Sequence, residues 1–303
     1  MISFRYHLVS IVSVFLALAL GVLVGTTVVN QGVLNDLRHR TDSAVGRARA
    51  LEKQVGDLQG QLRNWNNFAS SVEPLLVDAQ LTGAEVVLVT QEGVNAADLE
   101  GVRRALQDAG GKVVAELVIT KRMGLTDQAA RSDLAGLIGS SQSTDPVGLA
   151  QTAAERFAAR LIAGPGSPGV DLLDQLRSAG FLIIRGGGTP QEIGAALQSV
   201  VLLAGGGDPP AVDPVRFLQP LAASLVGSSR PVVAAETTQT VASLVTPIRG
   251  DGSMDGHLVT VDNADQIPGR VALVFGLRDL LATPGRGGDY GVKDGASGIL
   301  PKP

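Results

Sequence analysis

From Leu8 to Val29 the chain reads LVSIVSVFLALALGVLVGTTVV, without one charged side chain. About 20 apolar residues carry a helix across the hydrocarbon core of a bilayer, and a helix satisfies its own backbone there. A membrane span over 8–29 follows, preceded by a leader of residues 1–7. A cleavable signal peptide with Ala17-Leu18-Ala19 as its small-residue site fits less well, because the cut would fall inside the apolar run and leave Leu20 to Val29 as a greasy terminus. Ser13, Ala17, Gly21 and Gly25 recur every four residues, the spacing that lets two membrane helices approach closely, so this is the expected dimer face. Arg5 and the N-terminus on one side of the span face Arg38, Arg40, Arg47 and Arg49 on the other, partly offset by Asp36 and Asp42, so the positive-inside count by itself does not set the orientation. A short leader before a long domain is the build of an uncleaved anchor. The N-terminus is therefore expected in the cytoplasm, with the bulk of the chain outside the cytoplasmic membrane.

Beyond the span the spacing changes to alternating steps of three and four. Leu34, Leu37, Thr41, Ala44, Ala48, Leu51, Val55, Leu58, Leu62, Trp65, Ala69 and Val72 follow that rhythm, and Thr41 alone is polar. Such a run predicts a coiled coil over 33–73. Gly46, Gly56 and Gly60 each cost a helix about 1 kcal/mol but fall on outer positions, away from the seam. Leucine at the d positions with some β-branching at the a positions favours two parallel strands, and Arg47 at g can reach Glu52 at the e position of a partner helix. A parallel homodimer is the expectation. The competing arrangement, in which the stripe packs on its own globular domain, suits a period of 3.6 better than the 3.5 found here.

From Gly83 the pattern becomes that of an α/β domain, expected over 83–283 as a doubly wound, mostly parallel sheet. Strands are predicted at Glu85–Thr90, Val113–Ile119, Phe181–Ile184, Val232–Ala235, His257–Val261 and Val271–Phe275. Helical stretches are predicted at Ala96–Ala109, Leu149–Ala163, Val170–Ala179, Pro190–Leu203 and Pro214–Val226, with a loop over Gly139–Pro146. The tail, 284–303, is too rich in glycine to predict regular structure.

Composition removes several function classes. A net charge of −4 gives no basic face for nucleic acid. Without cysteine there is no disulfide, thiolate nucleophile or cysteine-ligated metal. The three histidines include His7 at the membrane edge and His39 in the heptads, and no Ser/His/Asp set or metal-hydrolase motif occurs, so catalysis is not expected. Two weaker patterns remain. Arg185-Gly-Gly-Gly188-Thr-Pro-Gln-Glu192 reads as a tight βα turn with a Thr189/Glu192 capping box that could also cradle an anion. Asp251, Ser253 and Asp255, followed by Asp262, echo a calcium loop, although Asp-Gly pairs are ordinary turns.

Phe4-Arg5-Tyr6-His7-Leu8-Val9-Ser10-Ile11, with Phe15-Leu16-Ala17-Leu18, Gly21 and Gly25, resembles the N-terminal signature of the actinobacterial MctB-type copper transporter family, which includes SteB-like cell-envelope proteins. The resemblance continues at Val259-Thr-Val-Asp262-Asn-Ala-Asp265, Gly269-Arg270-Val-Ala-Leu-Val274, Tyr290-Gly-Val-Lys293 and Leu300-Pro301. It implies an envelope protein tied either to copper efflux or, in SteB-like members, to cell separation beside a SteA-like cytoplasmic or membrane partner. Arg5, Tyr6 and His7 are then the candidate partner-binding residues, and an interfacial anchor is their plain physical role. Copper enters by resemblance alone. Cu(I) favours Cys and Met ligands, and with no Cys and three Met no resident metal or other cofactor is expected, Met254 and His257 being the weak candidates. The leading expectation is a non-enzymatic, dimeric envelope scaffold or regulator, with copper efflux as the alternative.

Overall fold

One helix, α1, runs from Phe4 to Val77 without a break. The computed structural model describes residues 4–141, 145–167, 170–186, 189–194, 198–207 and 210–302, with the side chains of 27–34 outside that set. Two units divide the chain, Met1–Phe68 and Ala69–Pro303.

The first unit is helix alone. Its apolar stretch Phe4–Thr26 is long enough to cross a membrane and is buried by nothing among the described residues. Within it the Ser13 hydroxyl donates to the Val9 carbonyl at 2.8 Å and that of Thr26 to Val22 at 2.9 Å. The hydroxyls are thus satisfied inside the helix, as hydrocarbon surroundings require. A Cβ built on Gly21 or Gly25 meets nothing within 4 Å, so nothing in the chain itself calls for glycine there. Further along, Leu37, Leu51, Val55, Leu58, Leu62 and Trp65 are all exposed in the single chain, as are Ala44 and Ala48. The side chain of Leu34 lies outside the described residues. Trp65 and Phe68 pack ring on ring at 5.7 Å.

The second unit begins with the last turns of α1 and continues as β1 (Glu85–Gln91), α2 (Ala96–Asp108), β2 (Lys112–Ile119), α3 (Gln128–Ile138), α4 (Pro146–Ala163), α5 (Leu172–Ser178), β3 (Leu182–Arg185), β4 (Ser199–Ala204), α6 (Pro214–Gly227), β5 (Val232–Glu236), α7 (Val245–Arg249), β6 (Val259–Val261), α8 (Ile267–Ala282) and β7 (Gly288–Tyr290). Aspartate punctuates the helix starts. Asp127, Asp145, Asp171 and Asp213 each accept a backbone N–H of the first turn, and Asp145 and Asp213 are followed by proline at the first helical position.

The sheet order is β3-β2-β1-β4-β5-β6-β7. Every pair is parallel except β2 with β3. Side chains alternate between two cores. Val87, Val89, Leu202 and Ala234 pack under α3, α4 and α6, whereas Val86, Leu88, Leu203 and Val261 pack under α2, α8 and the end of α1. The first six strands follow the order of dinucleotide-binding sheets. The connections β1-α2-β2 and β4-α6-β5 run in opposite directions on opposite faces, and so share one hand. β6-α8-β7 runs in the direction of β4-α6-β5 with its helix on the other face, and therefore has the opposite hand, which is rare for parallel crossovers. That reversal sets α8 beside α2.

Several local expectations are corrected. Pro190–Leu203 is not one helix: a 3-10 turn covers Pro190–Glu192, residues 195–197 lie outside the described residues, and β4 takes Ser199–Ala204, because Ser-Val-Val-Leu-Leu-Ala is a central strand buried on both faces, where apolar runs carry no period. Val271–Phe275 is not a strand but the middle of α8. Close packing holds that helix in place, since a Cβ on Gly276 would lie 2.7 Å from Val259. Helix α3 went unpredicted. β3 begins at Leu182 and runs antiparallel. Residues 284–303 are not irregular throughout, since Gly288–Tyr290 extends the sheet. The domain also starts before residue 83, because Val77 and Leu81 lie in its core. Of the loop predicted at Gly139–Pro146, residues 142–144 lie outside the described residues, and Pro146 opens α4.

Candidate functional site

Two polar arrangements organise the domain around the end of α1 and the carboxyl edge of the sheet. The first is a clamp. Glu73, in the last turns of α1, receives Arg270 Nε at 2.6 Å and Nη2 at 2.7 Å, a bidentate pair whose side chains are only 11% and 14% exposed. Arg270 sits near the start of α8, donates to the Asp265 carbonyl at 3.1 Å, and lies against Gly101 of α2. Two turns further along α8, Arg278 donates to Gln80 at 2.9 Å. The end of α1 thus runs in the same direction as α8, with Val77 buried beneath it. Nearby, burial and the Asp265 charge push the Asp98 carboxyl above its usual range, against the pull of Arg270.

The second is an ionic edge. Glu236, fully buried at the end of β5, accepts from the Ser243 hydroxyl, from the Leu244 and Val245 N–H groups at the start of α7, and from Lys293 Nζ at 2.7 Å. Asp262, fully buried just past β6, accepts from Arg249 Nη1 at 2.8 Å and from the Val292 and Lys293 N–H groups. Arg249 also donates to the Tyr290 carbonyl and to Thr260. Asp265 holds the Thr238 N–H and hydroxyl. Each carboxylate is thus spent on tying β5, α7, β6 and the chain after β7 together. Buried pairs of this kind repay their desolvation only when every partner is present.

In open α/β sheets, ligands bind outside the carboxyl ends of the strands where the order reverses, here between β1 and β4. That crevice is filled by the chain itself. Gln91 donates to the Gly205 carbonyl at 3.0 Å, and a Cβ on Gly206 would lie 3.2 Å from the Gly93 carbonyl. The turn Gln91-Glu92-Gly93-Val94-Asn95 has one glycine and an acidic side chain where phosphate-binding turns are glycine-rich. Gln91 Oε1 is buried without a hydrogen-bond partner among the described residues.

The residues singled out from sequence distribute as follows. Arg5, Tyr6 and His7 lie exposed on the first turn of α1. Met254 packs in the larger core at 1% exposure, while His257 is exposed beside a surface cavity lined by Arg230, Pro231 and Leu280, so the two side chains do not form a pair of ligands. Asp251 accepts from Ser253, and Asp262 is committed to Arg249, which takes it out of any calcium loop. Arg185 pairs with Glu116 at 3.0 Å, and Glu192 accepts the Thr189 N–H at 3.0 Å as the capping box predicts. Gly187 and Gly188 lie outside the described residues. Among the described residues no three His, Asp or Glu side chains gather in a way that could hold a metal ion. Glu73, Glu236 and Arg249 carried no sequence signal of their own. Their partners Arg270, Lys293 and Asp262 did, within the motifs behind the family resemblance.

The arrangement defines a class: an α/β protein with one N-terminal apolar helix suited to anchoring it in a membrane. The family described as "Copper transport outer membrane protein, MctB" matches residues 1–301, and the chain belongs to it. It is 30% identical over 317 residues to the copper transporter MctB of Mycobacterium tuberculosis strain H37Rv, covering 99% of both chains. The copper transporter MctB of Mycobacterium leprae is 29% identical over 318 residues, again with 99% of each chain covered.

Proposed function

We propose that this protein serves copper transport at the actinobacterial cell envelope, as a non-enzymatic single-pass subunit that dimerises through α1 and keeps its α/β domain outside the cytoplasmic membrane. The observation that carries the reading is the family match over residues 1–301, which spans anchor and domain alike. Physical chemistry limits the role. One apolar helix cannot enclose a pore, and a chain with no Cys and three Met is poor in soft ligands for Cu(I). Copper is therefore cargo handled through partner proteins, with this chain as a structural or regulatory subunit. Exposed leucines at 51, 58 and 62 on an uncharged seam support the parallel dimer.

The test is deletion of the gene. Cells lacking the protein should accumulate copper and lose copper tolerance, and the Met254→Ala, His257→Ala double variant should restore both as well as the native chain does. Unchanged copper content and tolerance in the deletion strain would refute the reading. A second reading, a scaffold for cell separation recruiting a SteA-like partner, is favoured by the exposed Arg5, Tyr6 and His7 at the cytoplasmic end. Unseparated cells with normal copper content would support it instead.

A further inference from the structure

Within the compact unit the end of α1 presents two leucines that its own domain leaves uncovered. Leu75 is 77% exposed and Leu76 48% exposed, although Glu73 and Val77 on the same turns are buried. Position by position the heptad register continues through them. Leu76 lies seven residues after Ala69 and four after Val72, at a, and Leu75 lies at g. At 3.6 residues per turn, the Val72/Leu76 direction is about 100° around the helix from the Glu73/Val77 direction, and Leu75 is about 180° from it. The helix can therefore hold its own domain and a second helix at once.

We infer that the last turns of α1 form a domain-level interface with a second copy of this chain: Val72 and Leu76 pack on the partner's helix, and Leu75 docks on the partner's α/β domain. The inference rests on the parallel dimer proposed above. In such a dimer each g position lies beside the e side of the facing helix. Glu73 is an e residue, and its side of the helix is the one clamped to its own domain through Arg270. An apolar g residue at this level thus faces the partner's domain. The charge beside these residues, Glu73, is committed to Arg270 and so does not oppose the contact. The two domains are consequently held at a fixed angle to each other.

The chain has no cysteine, so a single introduced cysteine reports on one position. In full-length protein in native membranes, Leu51→Cys and Leu76→Cys should both give disulfide-linked dimers on oxidation with diamide. Leu75→Cys should react with a maleimide several-fold more slowly than the same cysteine in a chain that also carries Leu51→Asp and Leu58→Asp. Cross-linking at 51 without cross-linking at 76, or equal labelling of position 75 in both backgrounds, overturns the inference and leaves the coiled coil standing. Absence of cross-linking at both positions overturns the dimer and the inference with it.

Discussion

Removing the clamp between Glu73 and Arg270 should loosen the end of α1 from its domain. Truncating one partner of a buried pair costs about 3–5 kcal/mol because the other charge is left uncompensated. Here both side chains keep a little solvent contact, 11% for Glu73 and 14% for Arg270, so screening trims the cost. Arg270→Ala should then destabilise the domain by about 2–3 kcal/mol. For a domain of this size each kcal/mol lowers Tm by about 2–4 °C, which puts the shift at about 4–12 °C. The assay is thermal unfolding of the full-length protein in micelles, run as a cycle with Glu73→Gln and the double variant. A coupling energy of about 1–3 kcal/mol is expected for groups in direct bidentate contact. Hydrogen exchange should localise the loosening to the amides of the last turns of α1. If the two substitutions add to within about 0.5 kcal/mol, the clamp is not an energetic link and the reasoning fails.

Three further outcomes follow from the geometry. Asp171 is buried, which by itself would raise its carboxyl, but Arg160 at 2.6 Å and the Gly166 and Leu173 N–H groups outweigh burial and hold it below the usual range. A depressed folded-state value means stability that is complete above the unfolded carboxyl near pH ~3.9 and lost as pH falls through the folded value. Asp171→Asn should flatten acid unfolding in that window and cost about 3 kcal/mol at neutral pH, and an unchanged acid profile would count against the pair. Gly269→Ala would set a Cβ 2.0 Å from the Asn263 carbonyl oxygen, so α8 must shift and the domain should lose about 1–3 kcal/mol in denaturant titration, where wild-type stability would contradict the packing. Leu51→Asp with Leu58→Asp buries charge at two seam positions and should turn a dimer into a monomer by light scattering, whereas an unchanged dimer would count against the seam.

The N-terminal apolar helix was legible in the sequence because it needs only length and the absence of charge, both properties of a linear string. The 3.5-residue rhythm after it was legible for the same reason, and so was the α/β alternation, since α2, α4 and α6 carry caps and β1, β2 and β5 are short apolar runs set off by Gly83, Gly110-Gly111 and Pro231. β4 and α8 were misread because both are buried on most sides, and a side chain surrounded by apolar neighbours leaves no polar period to read. β7 was missed because Gly288-Asp-Tyr290 becomes a strand only by pairing with β6.

Of the polar arrangements, the sequence supplied Asp262, Asp265, Arg270 and Lys293 as pieces of family motifs, with no indication of what they touch. Tertiary structure decided their roles. Glu73 and Arg270 are 197 residues apart and Glu236 and Lys293 are 57 apart. Only the hand of the β6-α8-β7 crossover brings α8 under the end of α1. Local chemistry sets which segments are apolar enough to suit a bilayer or periodic enough to suit a partner helix, because both properties are carried turn by turn along the helix. Which charges meet depends on the path of the whole chain, because burying an ion pair demands two partners that no local window contains.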